Sequence, residues 1–329
     1  MWQLKKKFFF ISALSLFGVS MMIPLSAGAA GNPTIEIINY SKTPTATVEK
    51  WTKAGAAKLS DWQADTLGVI WDLGRFVNDH FSPDHPFNTH KVILSSSELK
   101  ALTGKIKSWI EASECNDDPY RAEENKWGYK DIAHWIEGGA DVATAPDPCY
   151  DRRIVLLGKT PGQDEKTAQQ IWLHEFYHAH SNYLTNYCVN PNDSERDQEE
   201  TREKHESQRW FGEGTAQYFA TMVKAELNGV KDPVSLMLKE AETSAKRDGR
   251  ELYANLARNS AVALRLLIER GNIPNLEKDV MSGAVFHNCS WPDKWSSDKS
   301  AEVAFAQDNW FRIKKNGGKW SFTSAALKH

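Results

Sequence analysis

The chain has 329 residues, with 40 basic and 43 acidic side chains and a formal net charge of −3. A balance this close to neutral offers no bulk attraction for nucleic acid or for an anionic membrane surface. The length suffices for one large domain or two small ones.

The opening stretch, MWQLKKKFFFISALSLFGVSMMIPLSAGAA, carries Lys5, Lys6 and Lys7, then an apolar run, then small residues. That order is the layout of a signal peptide over residues 1–29, with cleavage after Ala29; a retained membrane anchor is the competing reading. No later stretch is apolar for long enough to span a bilayer. No stable membrane insertion is therefore expected after cleavage, and the product is expected to be secreted or periplasmic. Loss of the three lysines moves the formal charge from −3 to −6. Cys115, Cys149, Cys188 and Cys289 all lie in the exported part. An even number in an oxidising compartment points to two disulfides. Of the three pairings, Cys115–Cys149 with Cys188–Cys289 is favoured, because the first closes the shorter loop. The absence of a CxxC pair argues against a cysteine-held metal or redox site.

In chain order, TIEIINYS (Thr34–Ser41) reads as a strand. Residues from Thr47 to about His80 carry apolar side chains at helical spacing. FSPDHPFNTH is a turn-rich linker. HKVILSSSELKALTG reads as a strand, a serine cap at Ser96 or Ser97, and a helix with Glu98 in its first turn. Ile110 to Tyr150, rich in Asp, Asn, Gly and Pro, reads as irregular structure, with a short extended piece in WIEGGADVATAP. RRIVLLG (Arg152–Gly158) is a strand. A helix follows from about Glu165 to Tyr187. The charged run DSERDQEETREKHESQ (Asp193–Gln208) is a solvated loop or exposed helix. WFGEGTAQYFATMVKAEL (Trp210–Leu227) and ELYANLARNSAVALRLLIERG (Glu251–Gly271) are two more helices, the latter closed by a C-terminal glycine. The tail from Asn272 holds Trp291, Trp295, Trp310 and Trp320, which could pack in the core or form a stacking platform.

IWLHEFYHAH (Ile171–His180) is the stretch with the clearest chemistry. Residues four apart on a helix share a face, so His174 and His178 can reach one metal ion, with Glu175 beside them as a general base. This is the HExxH arrangement. The apolar flanks Ile171, Trp172, Phe176 and Tyr177 make the helix a buried one, and buried histidines need partners. A catalytic zinc takes three protein ligands. His180 is two residues from His178 and points the other way; it reads as a surface or outer-sphere residue. Ser181 and Leu184 occupy the positions where the metzincin pattern needs glycine and histidine. Glu213, in WFGEGTAQYF, remains as third ligand if its helix packs antiparallel to the first; the alternative is a first-turn glutamate favoured by the helix dipole.

HEFYH followed by WFGEGTAQYF resembles the gluzincin zinc metallopeptidases. The order KVILSSSELKALTG, WIEGGADVATAP, RRIVLL, HEFYH, EGTAQY is similar to peptidase-MA-like domains of exported bacterial proteins, over about His90 to Gly271. The resemblance implies that His174, His178 and Glu213 bind Zn2+, that Glu175 is the base, and that a peptide or protein is the substrate. Gln217 falls where thermolysin-like enzymes keep an aspartate that orients a zinc histidine. Tyr253 is the candidate oxyanion donor, about one turn earlier than the family position, which Leu256 occupies; Tyr177, Tyr218 and His287 are weaker candidates. RRIVLL would be the sheet edge beside the cleft, to which an extended substrate could add.

The fold expected is α+β and zincin-like: a small mixed sheet packed on the HExxH helix, with a mainly helical second half. The expected organisation is a signal peptide (1–29), a mainly helical N-terminal region (30–87), the zincin-like domain (88–275) and a tryptophan-rich extension packed on it (276–329). Two other readings are an inactive zinc-binding module and a glycan- or wall-binding protein led by the tail.

Overall fold

The computed structural model describes residues 33–62, 64–77, 89–112, 119–146, 152–189 and 193–328. The expected signal peptide, residues 81–88 of the turn-rich linker FSPDHPFNTH, and Cys115 and Cys149 lie outside these residues.

The first half builds a sheet. Strand β1 (Ile35–Tyr40), helix α1 (Thr45–Ala56) and strand β2 (Asp65–Phe76) form a β–α–β unit, with β1 and β2 parallel from Ile35↔Thr66 to Tyr40↔Trp71. Strand β3 (His90–Val92) returns antiparallel along the end of β2. Helices α2 (Ser96–Glu111) and α3 (Pro119–Gly138) follow, then β4 (Ala143–Thr144) and β5 (Arg152–Lys159). β5 runs parallel to β2, and β4 pairs antiparallel with β5, giving the order β1-β2-β5-β4.

Both faces of this sheet are covered. Leu67, Val69, Trp71 and Leu73 of β2 meet Leu102 and Ile106 of α2 and Ile132 and Ile136 of α3. Ile70 of β2 and Val155 and Leu157 of β5 face the other way, toward Val48 and Trp51 of α1 and Trp172 and Phe176 of α4 (Glu165–Thr185). The period-2 geometry of a strand divides the two sets. Gly68 is needed on the second face, since a Cβ there would sit 2.7 Å from the Trp172 indole. That indole donates its Nε1 hydrogen to Thr52 Oγ1 at 2.9 Å, so its one polar atom is satisfied in the core.

The second half is helical: α5 (Glu195–Ser207), α6 (Arg209–Leu227), α7 (Pro233–Asp248), α8 (Leu256–Arg270), α9 (Leu276–Ser282), α10 (Trp291–Lys294) and α11 (Ala301–Asn309). A hairpin of β6 (Ile313–Asn316) and β7 (Lys319–Phe322) and a last turn, α12 (Ser324–Leu327), close the chain. The protein is therefore a mixed α+β fold with small sheets. Among the described residues, no helix is long and apolar enough to cross a membrane.

Several expectations change. The helical spacing over Thr47–His80 holds only for α1; residues 65–76 are the central strand β2, because TLGVIWDLGRF is buried on both faces and so lacks an alternating pattern. The region 30–87 is thus not mainly helical, and its strands belong to the same sheet as β5. Ser95, rather than Ser96 or Ser97, caps α2: its Oγ accepts from the Glu98 backbone N–H while the Glu98 carboxylate accepts from Ser95 N at 2.8 Å. Within the supposedly irregular 110–150 stretch, α3 spans twenty residues. β5 is an inner strand, and β4 from WIEGGADVATAP takes the edge. Of the tail tryptophans, Trp295 and Trp310 are fully buried in the core, Trp295 stacking on Phe211 with ring centroids 4.2 Å apart, while Trp291 is largely buried and Trp320 only partly. The Cys188–Cys289 disulfide is present, tying the end of α4 to the segment before α10.

Candidate metal centre

The site grows from α4. Asp164 caps it, its carboxylate accepting from Thr167 N at 2.7 Å. Trp172, Leu173 and Phe176 anchor the helix on the sheet face. That leaves His174 and His178, one turn apart, on the side that meets α6.

The two helices cross-link in reversed order. His174 faces Glu213, Gln170 donates to Thr221 Oγ1 at 3.3 Å, and Gln169 accepts from Asn228 at 2.8 Å. Falling numbers on α4 matched by rising numbers on α6 make the pair antiparallel, the arrangement that Glu213 requires. Gly214 fixes how deeply α6 sits on the opposite side. A Cβ there would come within 2.9 Å of the Ser260 main chain on α8. Only glycine permits that approach.

Three ligand atoms converge as a result. His174 Nε2 and His178 Nε2 are 3.0 Å apart, and Glu213 Oε2 lies 3.3 Å from the first and 3.9 Å from the second. This group could hold a metal ion. Nitrogen and oxygen ligands bound tetrahedrally at ~2.0–2.1 Å stand ~3.3–3.4 Å from one another. The three edges fall on both sides of that value, so small side-chain adjustments would let the group hold a metal ion. Burial opposes the ionisation of Glu213, but hydrogen bonds and charge from both histidines outweigh it and hold the carboxyl well below its ordinary pKa.

Glu175, beside the group, is partly buried. Desolvation pushes its carboxyl up to about 7, against the attraction of His174 and with the repulsion of Glu213. A carboxyl near neutrality is suited to proton transfer.

The ligand group opens into a cleft of about 450 Å³. Thr144 and Ala145 at the sheet edge form one wall, and Asn182 of α4 donates to the Ala145 carbonyl at 3.3 Å. His205, Arg209 and Gly212 line the cleft from α5 and α6, and Phe286 and Trp291 from either side of Cys289. His205 packs against Trp291 with ring centroids 5.2 Å apart and planes tilted by 40°, and burial lowers its pKa. Of these five, the sequence singles out only Trp291, as a core residue or part of a stacking platform. Of the other four, only Arg209 left a readable sign, its i,i+4 spacing to Glu213; its Nε lies 3.7 Å from Glu213 Oε1.

The other expected site residues lie elsewhere. Gln217 lines a separate cleft with Gln170 and Thr221. Among the described residues, His174 Nδ1 is buried without a hydrogen-bond partner, so Gln217 does not orient that ring here. Tyr253 is exposed and lines a different cleft with Lys204 and Asp293. Tyr177 is fully buried and donates to the Val280 carbonyl at 2.7 Å. Tyr218 is bound to Glu277 and Arg265, and His287 pairs with Asp61 at 3.3 Å. His180 is fully buried, not a surface residue: its Nε2 donates to the Ser60 carbonyl at 2.7 Å, its ring stacks on Trp62, and burial depresses its pKa to about 4.

The chain matches no known family, no curated protein and no solved structure.

Proposed function

We propose that the protein is an exported zinc metallopeptidase of the gluzincin type, with a zincin-like fold. The observation that carries this reading is the convergence of His174, His178 and Glu213 within one coordination sphere, with the Glu175 carboxyl beside it. Two imidazoles and a carboxylate are a donor set used by catalytic zinc. A zinc ion held there would act as a Lewis acid on a substrate carbonyl and would make water more acidic.

The chain's own residues supply the rest. Glu175 accepts a proton from the attacking water and returns it to the leaving amine; its pKa near 7 suits both directions. An extended peptide can lie against the β4 edge at Thr144, in the mode of an added strand. Asn182, His205 and Arg209 are among the polar side chains lining the cleft that can donate to the substrate's oxygens. The Cys188–Cys289 disulfide supports a working place in an oxidising compartment.

One observation favours a second reading, a zinc-bound module that binds peptides without cleaving them. Tyr177, Tyr218 and Tyr253 all lie away from the cleft, and so supply no phenol for an oxyanion. Incubation of zinc-loaded wild type and Glu175→Gln with a mixed-peptide library separates the two. Cleavage by wild type, abolished in Glu175→Gln with zinc retained, is the expected result. Stoichiometric zinc without cleavage in either protein would support the binding module.

A further inference from the structure

Two glycines flank Glu213, and only one of them is explained by the fold. Gly214 is required by the close approach of α8. At Gly212 an added Cβ would meet no atom of the described residues within 4 Å, and the backbone is not in the positive-φ region that favours glycine. Glycine is also a poor helix former. Neither packing nor conformation therefore calls for glycine at this position. Gly212 does line the cleft, next to the ligand Glu213. The space it leaves open faces the cleft.

Arg209, one turn earlier on α6, lines the same cleft and is largely exposed. Its ion pair among the described residues is with Glu213 Oε1 at 3.7 Å, the carboxylate oxygen turned away from the histidines. That is a long and solvent-exposed contact, worth little to either partner. The guanidinium is thus available beside the ligand group. Its planar fork matches a carboxylate in a bidentate way that no other cleft residue can. Glu206 also lines the cleft and is exposed, so an acidic group entering it is repelled there and drawn to the Arg209 side.

We propose that Gly212 and Arg209 form a subsite on the first turn of α6 that takes an acidic substrate residue, or a terminal carboxylate, next to the cleaved bond. The proposal rests on the peptidase reading above. Gly212 gives the substrate room to pass beside Glu213, and Arg209 selects the charge.

The test is cleavage of a mixed-peptide library by the full mature chain loaded with zinc, with cut positions read by mass spectrometry and zinc content measured for each variant. Wild type is expected to cut next to Asp, Glu or a chain terminus. Arg209→Gln should lose that preference, and Arg209→Glu should shift it toward Lys and Arg. Gly212→Leu should keep one zinc per chain while kcat/KM falls at least tenfold. Gly212→Ala, with a smaller intrusion, should fall between it and wild type, and it covers the case in which the leucine variant does not fold. Cleavage without an acidic preference, or a preference unchanged in Arg209→Gln, would overturn the proposal and leave the peptidase reading standing. No cleavage by zinc-loaded wild type would remove both.

Discussion

The approach of α6 to α8 sets where Glu213 stands, and a single methyl group at Gly214 tests it. A Cβ at that position would lie 2.9 Å from both the carbonyl carbon and the Cβ of Ser260, and 3.0 Å from its carbonyl oxygen. Main-chain atoms in the middle of a buried helix cannot swing aside as a flexible side chain can. The helices must separate by several tenths of an ångström, and overpacking of this kind costs about 1–3 kcal/mol. Alanine also gains helix propensity over glycine, by about 1 kcal/mol in a helix interior. Gly214→Ala is therefore expected to lose up to about 2 kcal/mol net in denaturant unfolding of the metal-free protein. Gly212→Ala is the control: it gains the same propensity and meets no atom of the described residues within 4 Å, so it should gain up to about 1 kcal/mol. The Gly214 variant should also bind metal more weakly, since Glu213 shifts with its helix. Two alanine variants equally more stable than wild type would refute the packing described for α6.

Three other outcomes follow. In the proposed metal centre Glu213 is a direct ligand, so Glu213→Gln should weaken metal binding by more than the ~10–100-fold that loss of an outer-sphere partner costs, measured by competition with a chelator. Glu175 is raised in the folded state to about 7, so the folded protein binds the extra proton and stability falls as pH rises from about 4.5 through 7. The metal-free wild type should therefore lose about 2–3 kcal/mol relative to Glu175→Gln between pH 4.5 and pH 8, at ~1.4 kcal/mol per pKa unit; a constant difference across that range would contradict it. Cys188 and Cys289 are 101 residues apart in sequence, so Cys289→Ser should cost about 2–5 kcal/mol by releasing that loop in the unfolded chain, read from unfolding with and without reductant.

How far the sequence carries these conclusions differs from element to element. The pair His174 and His178 is visible because helical spacing alone puts both on one face. Glu213 needed one further assumption, the antiparallel packing that the Gln170–Thr221 and Gln169–Asn228 bonds now display. β2 was hidden because a strand covered on both faces shows neither the period of an amphipathic helix nor that of a half-buried strand. α3 was hidden by its Asp, Asn and Gly content, which outweighed a helical face that meets α2 through Ile132 and Ile136. The far wall of the cleft was out of reach for a different reason. Phe286 and Trp291 line the same cleft as Glu213 only through tertiary folding and the Cys188–Cys289 link; Trp291 stood out in the sequence only as core or platform, and no local pattern marks Phe286. His180 shows the reverse error: its position on the helix excluded it as a ligand, but nothing local revealed the Ser60 carbonyl and Trp62 ring that bury it.

The most direct test of the central claim is the metal content of the purified mature protein, by elemental analysis after reconstitution, for wild type, Glu175→Gln and Glu213→Ala. One zinc per chain in wild type and in Glu175→Gln, with substantial loss in Glu213→Ala, is the expected result. Absence of stoichiometric metal in reconstituted, folded wild type would contradict the assignment of His174, His178 and Glu213 as a metal centre.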